Sequence, residues 1–389
     1  MSKGGEENNY AAANPLPLEG FGEAGRGRYR IIIAGGGTGG HIFPAIAIAN
    51  AIKKLAGDSE ILFVGANGKM EMEKVPQAGY KIIGIDIAGF NRSSLIKNIG
   101  LPFKLIKSFL QVRKIVNAFK PAAVIGVGGY SSFPVLRYAQ AKRIYTFIHE
   151  SNSFAGKSNI LLGKKATAIF TASTGMEVFF PASKIKVSGN PVRSAIVNSI
   201  INRKEAILFF KLDPSKKTVL VTGGSLGAKG INEAIDGQLG MFESNGVQLI
   251  WQTGKSFAAR AKERSAGKNG IWTNEFISQM EYAYAAADIV VSRSGAMAVA
   301  ELSVAKKPVI FVPFPFAAED HQTVNAKALV DREAGELVKD NEAKEKLVSS
   351  IISLIKNEPK QQLLINNIAK LAVRNADEVI ATEILKRIG

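Results

Sequence analysis

The first candidate for chemistry is a glycine-rich run, GGGTGG at residues 35–40, which follows three isoleucines and precedes His41. The glycines at 35, 37 and 40 satisfy the G-x-G-x-x-G spacing. Glycines let a ligand approach the backbone, and the helix that follows presents N–H groups and a positive dipole to an anion. NAD binding also requires an acidic residue at the end of the second strand. That strand ends FVGAN at residues 63–67, which contains no carboxylate. The loop therefore predicts a phosphate-bearing ligand other than NAD, with a purely structural turn as the alternative.

The three histidines of the chain, His41, His149 and His321, each lie next to a predicted loop. His41 falls just inside the helix that follows the glycine run, where the helix dipole disfavours a charged imidazole. A neutral imidazole suits a general base that works near neutral pH. The alternative for His41 is packing at the start of the helix. The sequence contains no H-x-x-x-H or H-E-x-x-H spacing, so no metal site is predicted.

A second glycine turn, GVGGYSSFP, occupies residues 126–134 after an apolar strand. Gly128 and Gly129, with the hydroxyls of Ser131 and Ser132, can hold a second phosphate-bearing partner. The alternative is a tight strand-to-helix turn with serine as the N-cap. Both interpretations stay open on the sequence alone.

The second half of the chain repeats this pattern as TGGSLGAKG at residues 222–230. We predict Ser225 at a helix start, donating to a phosphate; the Gly-Lys-Ser/Thr ending of an ATP-binding loop is missing. The stretch 292–326 predicts strand, helix, strand and loop. Glu301 falls on the first or second helical turn, where it can accept from a ribose diol or pair with the helix dipole. Gln322 opens the next helix as a candidate partner for sugar hydroxyls.

The net charge of +17 is concentrated in the first half of the chain. Residues 1–195 hold 25 lysines and arginines against 11 acidic residues, and residues 196–389 hold 25 against 22. Between Asp86 and Glu150 there are ten basic residues and no acidic one. Such a field attracts phosphates, nucleic acid or an anionic membrane surface.

One basic segment, residues 92–121, combines seven basic residues with an apolar pattern. Five of its apolar residues recur at helical spacing: Leu105, Phe109, Val112, Val116 and Phe119. We predict that the part from Val112 to Phe119 faces the core. The preceding part mixes apolar residues with lysines and predicts an exposed patch at an anionic membrane interface.

The absence of cysteine excludes disulfides and thiolate metal sites and permits a cytoplasmic location. The first 27 residues lack the apolar core of a signal peptide and predict a disordered tail. No apolar run of about 18 residues occurs in the sequence, so we predict no membrane span.

Apolar strands alternate with helical patterns along the chain, which predicts a parallel α/β fold. The predicted strands are 30–35, 60–65, 80–86, 122–129, 144–150, 168–173, 184–189, 217–224, 247–254, 270–277, 288–295 and 308–314. Helical patterns close the chain at 342–356, 359–373 and 376–387. The pattern of a buried strand followed by a glycine turn occurs twice, as IIIAGGGTGG and as VLVTGGSLGA. We therefore predict two doubly wound Rossmann-like domains that face each other across a cleft.

The predicted domains are residues 28–190 and 191–375, with a hinge near SGNPVR at 188–193. The C-terminal helix 376–389 is expected to pack back on the first domain. In such sheets ligands bind beyond the carboxyl ends of the strands.

Seven motifs together resemble one family in order and spacing. They are GGGTGGHIFPAIAIA, GVGGYSSFP, HESNSFAGKSN, GNPVR, TGGSLGAKGIN, FISQM and the long run from DIVVSRSGAMAVAELS to EDHQTVNA. The chain is similar to the MurG family of peptidoglycan glycosyltransferases over about residues 28–389. The tail of residues 1–27 has no counterpart in that family.

The resemblance implies a GT-B-type inverting transferase that needs no metal and no cofactor. It would move N-acetylglucosamine from UDP-N-acetylglucosamine to the C4 hydroxyl of N-acetylmuramic acid on lipid I, giving lipid II. The implied location is the cytoplasmic face of an anionic bacterial membrane, within a cell-wall synthesis complex and without nucleic acid. Alternatives are a diacylglycerol glucosyltransferase, a UDP-N-acetylglucosamine 2-epimerase and a non-catalytic UDP-sugar-binding membrane module.

The resemblance also implies roles for individual residues. It makes His41 the catalytic residue, as general base or as the group that orients the acceptor. The acceptor pyrophosphate would contact Gly128, Gly129, Tyr130 and Ser131. The implied UDP-N-acetylglucosamine contacts are Thr38, Gly39, Gly40, Asn152, Arg193, Ser225, Ile277, Ala296, Met297, Ala298, Val299, Ala300, Glu301 and Gln322.

Overall fold

The computed structural model describes residues 29–88, 101–317 and 320–389, without the side chains of residues 101 and 102. The predicted tail of residues 1–27 and the first part of the basic segment, residues 92–100, lie outside the described residues. The described residues form two units. One contains the chain up to Arg193 together with Asn375–Gly389, and the other is Ser194–Arg374.

The first unit is built on a seven-stranded sheet in which every pairing is parallel. The strand order is β3-β2-β1-β4-β5-β6-β7. The strands are β1 (Arg30–Ala34), β2 (Glu60–Ala66), β3 (Lys81–Ile85), β4 (Ala123–Gly126), β5 (Tyr145–Glu150), β6 (Ala168–Thr171) and β7 (Ile185–Val187). Its helices are α1 (Gly39–Leu55), α2 (Glu71–Gln77), α3 (Leu101–Phe119), α4 (Ser132–Ala141), α5 (Lys157–Gly163) and, from the chain end, α16 (Ala376–Ile388).

The second unit is built on a six-stranded parallel sheet with the order β10-β9-β8-β11-β12-β13. The strands are β8 (Thr218–Thr222), β9 (Gln248–Gln252), β10 (Ile271–Asn274), β11 (Ile289–Ser292), β12 (Val309–Phe311) and β13 (Glu336–Leu337). The helices are α6 (Ser194–Val197), α7 (Arg203–Phe209), α8 (Lys229–Gly237), α9 (Leu239–Ser244), α10 (Ala258–Ser265), α11 (Met280–Ala286), α12 (Ala296–Ala305), α13 (His321–Val330), α14 (Ala343–Ile355) and α15 (Glu358–Ala369).

The central strands are continuous apolar runs because helices cover both faces of a parallel sheet. Ile31 and Ile33 of β1 pack in one hydrophobic cluster, while Ile32 packs in a second cluster with α3 and α4. The two Rossmann-like α/β units and the twelve predicted strands are confirmed. The sequence missed β13, whose two residues are only half-buried at a sheet edge.

The C-terminal helix α16 packs on α1 of the first unit. Ile380 and Ile384 are fully buried in the cluster that also contains Ile48 and Ile52. At the surface, Nζ of Lys54 lies 2.7 Å from a carboxylate oxygen of Glu378. The end of the chain is therefore part of the first unit.

Helix α3 has the two-part character that the sequence predicts. Val112 and Val116 are buried, which confirms the core-facing part. Phe103, Ile106 and Leu110 are 76%, 61% and 62% exposed. None of the helices in the described part of the chain is long and apolar enough to cross a membrane.

Candidate functional site

The order of the first sheet reverses between β1 and β4, so the loops that follow these two strands lie side by side at the carboxyl edge. Ligands of doubly wound sheets bind at such a reversal. The N–H of Gly36, after β1, donates to the carbonyl of Gly128, after β4, at 3.3 Å. A Cβ on Gly35 would lie 2.5 Å from the Gly128 carbonyl, and one on Gly129 would lie 2.5 Å from the Gly36 carbonyl. The glycines therefore let two loops interlock.

Glu71, at the start of α2, is the carboxylate that holds the first loop. Its side chain is buried, and Oε2 accepts from the N–H of Gly37 at 2.8 Å. Oε1 accepts from the N–H of Ala66 at 3.0 Å. Local sequence patterns do not reveal this residue, since it lies 34 positions from Gly37 in the chain. One of the amides that the glycine pattern offers to an anion is thus bound to an anion of the protein itself.

The imidazole of His41 packs between the two interlocked loops. Nδ1 lies 3.0 Å from the carbonyl oxygen of Gly36. Because a carbonyl only accepts, Nδ1 carries a proton, and in the neutral imidazole the lone pair is on Nε2. A Cβ on Gly128 would lie 2.7 Å from Nε2, so the ring lies directly against that glycine. The geometry provides a half-buried imidazole whose basic nitrogen is Nε2.

His149, near the end of β5, is a buried histidine of the same unit. Burial lowers the pKa of His149 to about 4; the backbone of Gly189 and the side chain of Asn190 oppose that shift, and the nearby His41 adds to it. His149 is therefore neutral near pH 7.

The loop after β5 is also organised by a buried carboxylate, Glu150. Oε1 accepts from the N–H and the side-chain amide of Asn152, at 3.1 and 3.2 Å. Oε2 accepts from the N–H of Gly156 at 3.0 Å and the side chain of Asn159 at 2.8 Å. Asn152 is therefore held in place by Glu150, which lies in the HESNSFAGKSN motif but was not itself a predicted site residue.

The other candidate residues of the first unit lie near the same carboxyl edge or just before the unit ends. Thr38 is the N-cap of α1 but makes no side-chain capping bond. Ser131 occupies the N-cap position of α4, as in the alternative of a tight turn, but its side chain makes no capping bond, and Ser132 donates to the carbonyl of Gly129 at 2.8 Å. Arg193 lies over the ring of Phe43 in α1, 4.6 Å from its centroid. The remaining candidates are Gly39 and Gly40 in the first turn of α1 and the exposed Tyr130.

In the second unit the strand order reverses between β8 and β11. The loop after β8 contains Ser225, and here the sequence prediction is wrong: α8 begins at Lys229, four residues later, and Ser225 lies in a turn. The turn is closed by the N–H of Gly227, which donates to the carbonyl of Gly224 at 3.0 Å. The backbone turn at Ser225, rather than a helix start, would present polar groups to a ligand.

Gln252, at the end of β9, ties this turn to the neighbouring loop. Its Nε2 donates to the carbonyl of Gly224 at 3.0 Å and to Oγ1 of Thr222 at 3.1 Å. Its Oε1 accepts from the N–H of Ile277 at 2.9 Å. The side chain is buried, so these bonds lie away from water. Gln252 is a second positioning group that local sequence patterns did not reveal.

The helix predicted after β11 is confirmed: α12 begins at Ala296, with Gly295 as its N-cap. Its first turns contain the candidates Ala296, Met297, Ala298, Val299 and Ala300. Glu301 lies in the second turn and is buried, and its Oε2 accepts from the hydroxyl of Tyr284 at 3.2 Å. A buried carboxylate therefore lies close to a helix N-terminus.

Gln322 lies in the first turn of α13, as predicted. Its Oε1 accepts from the N–H of Phe314 at 3.0 Å, and its backbone carbonyl accepts from the hydroxyl of Ser294 at 2.8 Å. Asn325 in turn donates to the carbonyl of Ser294 at 3.0 Å. Oε1 is occupied, and Nε2 is the atom of this side chain that can donate a hydrogen bond.

A cavity of about 400 Å³ lies beside the start of α8, between the turn before it and the chain after β12. The guanidinium of Arg293 lines this cavity, donates to the carbonyls of Val312 and Pro313, and pairs with Asp340 at 2.6 Å. Burial lowers the pKa of Arg293, and Asp340 opposes the shift. Arg293 thus fixes the backbone just before Phe314.

Two parallel Rossmann-like units, each with a glycine turn at the reversal of its strand order, form the α/β fold that glycosyltransferases share with UDP-N-acetylglucosamine 2-epimerases. The N-terminal domain of glycosyltransferase family 28 matches residues 31–171, and its C-terminal domain matches residues 218–380. The chain belongs to glycosyltransferase family 28, among the UDP-N-acetylglucosamine–N-acetylmuramyl-(pentapeptide) pyrophosphoryl-undecaprenol N-acetylglucosamine transferases.

Curated relatives with that name match almost the whole chain. The protein of Parabacteroides distasonis is 48% identical over 93% of this chain and 99% of its own. That of Phocaeicola vulgatus is 51% identical over 92% of this chain and 96% of its own. The crystal structure of Acinetobacter baumannii MurG is 28% identical, covers 92% of this chain and 100% of its own, and has a TM-score of 0.68. A UDP-GlcNAc 2-epimerase from Neisseria meningitidis, 14% identical with a TM-score of 0.66, shares the fold alone.

The close contact between Gly128 and His41 predicts a measurable cost for any side chain at that glycine. Gly128 has a φ of +96°, and Gly175 has a φ of +80° with open space within 4 Å of where its Cβ would lie. Positive φ alone should cost Gly175→Ala about 1–2 kcal/mol of unfolding free energy. Gly128→Ala should cost about 1–3 kcal/mol more, from overpacking against the imidazole. Urea unfolding of both variants measures the difference; equal costs would contradict the close packing.

Proposed function

We propose that this protein transfers N-acetylglucosamine from UDP-N-acetylglucosamine to the C4 hydroxyl of N-acetylmuramic acid on lipid I, with inversion, to give lipid II. The observation that carries the proposal is the identity of 48–51% with transferases of that name over both units at once. The geometry of each unit supports it separately.

The second unit has the groups that a nucleoside diphosphate requires. Departure of UDP places charge on a diphosphate, which helix N-termini and backbone amides can stabilise. Helix α12 begins at Ala296 after an extended N-cap glycine, and the turn at Gly224–Gly227 follows the adjacent strand β8. We assign the diphosphate to these two backbone segments and to the hydroxyl of Ser225.

The nucleoside and the sugar are assigned to two side chains and one backbone group. The buried Glu301 would accept from the ribose hydroxyls, with Tyr284 fixing its carboxylate. The N–H of Ile277 already donates to Gln252, so its carbonyl is the backbone group we assign to the uracil. Gln322 would donate through Nε2 to a hydroxyl of the N-acetylglucosamine, because its Oε1 is held by Phe314.

In the first unit, His41 is assigned the deprotonation or orientation of the acceptor hydroxyl. Its Nδ1–H is held by the Gly36 carbonyl, which leaves Nε2 as the basic atom. The amides of Gly129, Tyr130 and Ser131, just before α4, are assigned to the acceptor pyrophosphate. The donor-sugar roles of Thr38, Gly39, Gly40 and Asn152, and the nucleotide contact of Arg193, stay predictions from the family resemblance.

The membrane-facing surface is assigned to the first turns of α3. Phe103, Ile106 and Leu110 recur at i, i+3 and i+7 and are strongly exposed. Lys104 and Lys107 lie between them. Apolar residues flanked by lysines bind the interface of an anionic membrane, where a lipid-linked acceptor would be found.

Product formation tests the proposed function. The protein is incubated with UDP-N-acetylglucosamine and a lipid-linked muramyl-pentapeptide pyrophosphate in EDTA, and the lipid is analysed by mass spectrometry. We expect a product heavier by one N-acetylglucosamine. Transfer to diacylglycerol instead would favour the glucosyltransferase alternative, and UDP binding without transfer would favour the binding module.

His41→Ala should lower turnover by about 10²- to 10⁴-fold, the usual contribution of a general base. Binding of UDP should remain, because the diphosphate is assigned to the second unit. Steady-state kinetics and calorimetric titration with UDP measure the two effects. Loss of UDP binding together with turnover would contradict the assignment and make His41 a donor-site residue.

Gln252→Ala should weaken UDP binding about tenfold, or about 1.4 kcal/mol, because Gly224 and Ile277 lose their common partner. Gln248→Ala is the matched control: it is a buried glutamine at the other end of β9, bonded to Asp213 and Thr218. Both variants should lose about 1–3 kcal/mol of stability through unpaired buried groups. Calorimetry with UDP should separate them; equal affinities would exclude a positioning role for Gln252.

Replacing Phe103, Ile106 and Leu110 together by serine should reduce binding to phosphatidylglycerol vesicles at least about tenfold, since each apolar side chain contributes about 1.5–3 kcal/mol when buried. Leu161 and Val178, which are 55% and 79% exposed in the same unit, provide a matched control when changed to serine. Vesicle cosedimentation measures both variants. Equal binding by the two would place the membrane contact elsewhere.

A further inference from the structure

We propose that Glu71 is a positioning residue for His41: an internal anion that holds the first glycine loop so that the Gly36 carbonyl fixes the imidazole. The proposal rests on the proposed function, in which His41 serves the acceptor hydroxyl. It also goes beyond the family motif, which covers the glycines and the histidine but not α2.

The carboxylate of Glu71 bridges two segments of backbone. Oε2 binds the N–H of Gly37 in the loop after β1, and Oε1 binds the N–H of Ala66 at the end of β2. Both oxygens are acceptors, which is the pattern of an ionised carboxylate, and charge-assisted bonds of this kind are stronger than neutral ones. The loop is therefore anchored to the sheet at Gly37.

Two glycines make room for this carboxylate. A Cβ on Gly36 would lie 2.3 Å from the carboxyl carbon of Glu71, and one on Gly65 would lie 2.5 Å from its Cγ. A side chain at either position would displace the carboxylate. These glycines are required by a buried side chain of the protein and do not by themselves indicate a ligand.

The anchored segment continues directly to the catalytic histidine. Gly36, the residue before Gly37, donates its N–H to Gly128 and accepts from Nδ1 of His41. Gly36 is thereby bonded to the loop after β4 through its N–H and to His41 through its carbonyl. If Gly37 loses its anchor, the Gly36 carbonyl can move, and His41 loses the acceptor that selects its Nδ1–H tautomer.

The same bond limits what the first loop can bind. The Gly37 N–H, which a dinucleotide loop would direct to a phosphate, donates to Glu71. A phosphate at that amide would meet a carboxylate of like charge and be repelled. The loop therefore positions an imidazole for a neutral sugar hydroxyl.

Glu71→Gln tests the proposal, with Glu73→Gln as the matched control. Glu73 lies on the same helix, its side chain is 65% exposed, and it pairs with Lys74 at the surface. We expect Glu71→Gln to lower kcat about tenfold or more, because a shift of about 1 Å in a catalytic group can cost 10²-fold. The KM for UDP-N-acetylglucosamine and the affinity for UDP should not change, and Glu73→Gln should behave as the parent protein.

Two further measurements separate positioning from mere stability. In a His41→Ala background the additional effect of Glu71→Gln on kcat should disappear, since the two residues act through one group. In protein labelled with ¹⁵N-histidine, Glu71→Gln should move the Nδ1 and Nε2 signals of His41 toward a tautomer mixture and leave those of His321 in place. Gly65→Ala, which displaces the carboxylate without removing it, should reproduce the shift if Glu71→Gln fails to fold.

The proposal is overturned if Glu71→Gln lowers the melting temperature but leaves the kcat and the His41 signals unchanged. It is also overturned if its effect on kcat persists in full without His41. The nitrogen signals need no substrate, so they report on Glu71 even if the parent protein forms no lipid-linked disaccharide. In that case the proposed function fails, and the nitrogen signals of His41 alone decide whether Glu71 positions it.

Discussion

The bond between the buried carboxylate of Glu71 and the N–H of Gly37 is the constraint on which the first unit's site depends. It anchors the loop after β1, and the anchored loop interlocks with the loop after β4 through Gly36 and Gly128. His41 packs into that arrangement with Nδ1 bonded to the Gly36 carbonyl and the ring against Gly128. A single charged group thus anchors the backbone that, we propose, selects the tautomer of His41.

In the second unit a neutral side chain, and not a carboxylate, holds the glycine turn in place. Gln252 ties the turn after β8 to the loop that contains Ile277, through three hydrogen bonds from a buried amide. A neutral tie adds no negative charge to the turn at Gly224, so this edge remains suitable for a diphosphate. Two glycine turns that look alike in sequence therefore have different partners and, we infer, different ligands.

The strands and most helices could be predicted from the sequence because buried parallel strands are continuous apolar runs that end in glycine turns. The start of α8 could not, since TGGSLGAKG contains no residue that marks Lys229 rather than Ser225 as the beginning. Glu71 and Gln252 were missed for another reason: the loop residues that they hold, Gly37 and Ile277, lie 34 and 25 residues away, and such contacts leave no local pattern. The sequence carried one indirect sign of Glu71: the run 35–40 has more glycines than a turn requires, and Gly36 is the glycine that makes room for the carboxylate.

Amide hydrogen exchange with and without UDP tests the central claim most directly, that the diphosphate is held by the second unit and not by the first glycine loop. We expect UDP to slow exchange at residues 223–228 and 295–301 and to leave residues 35–40 as they are in the free protein. New protection across residues 35–40, with none at 223–228, would contradict the account and indicate that the first glycine loop binds the diphosphate.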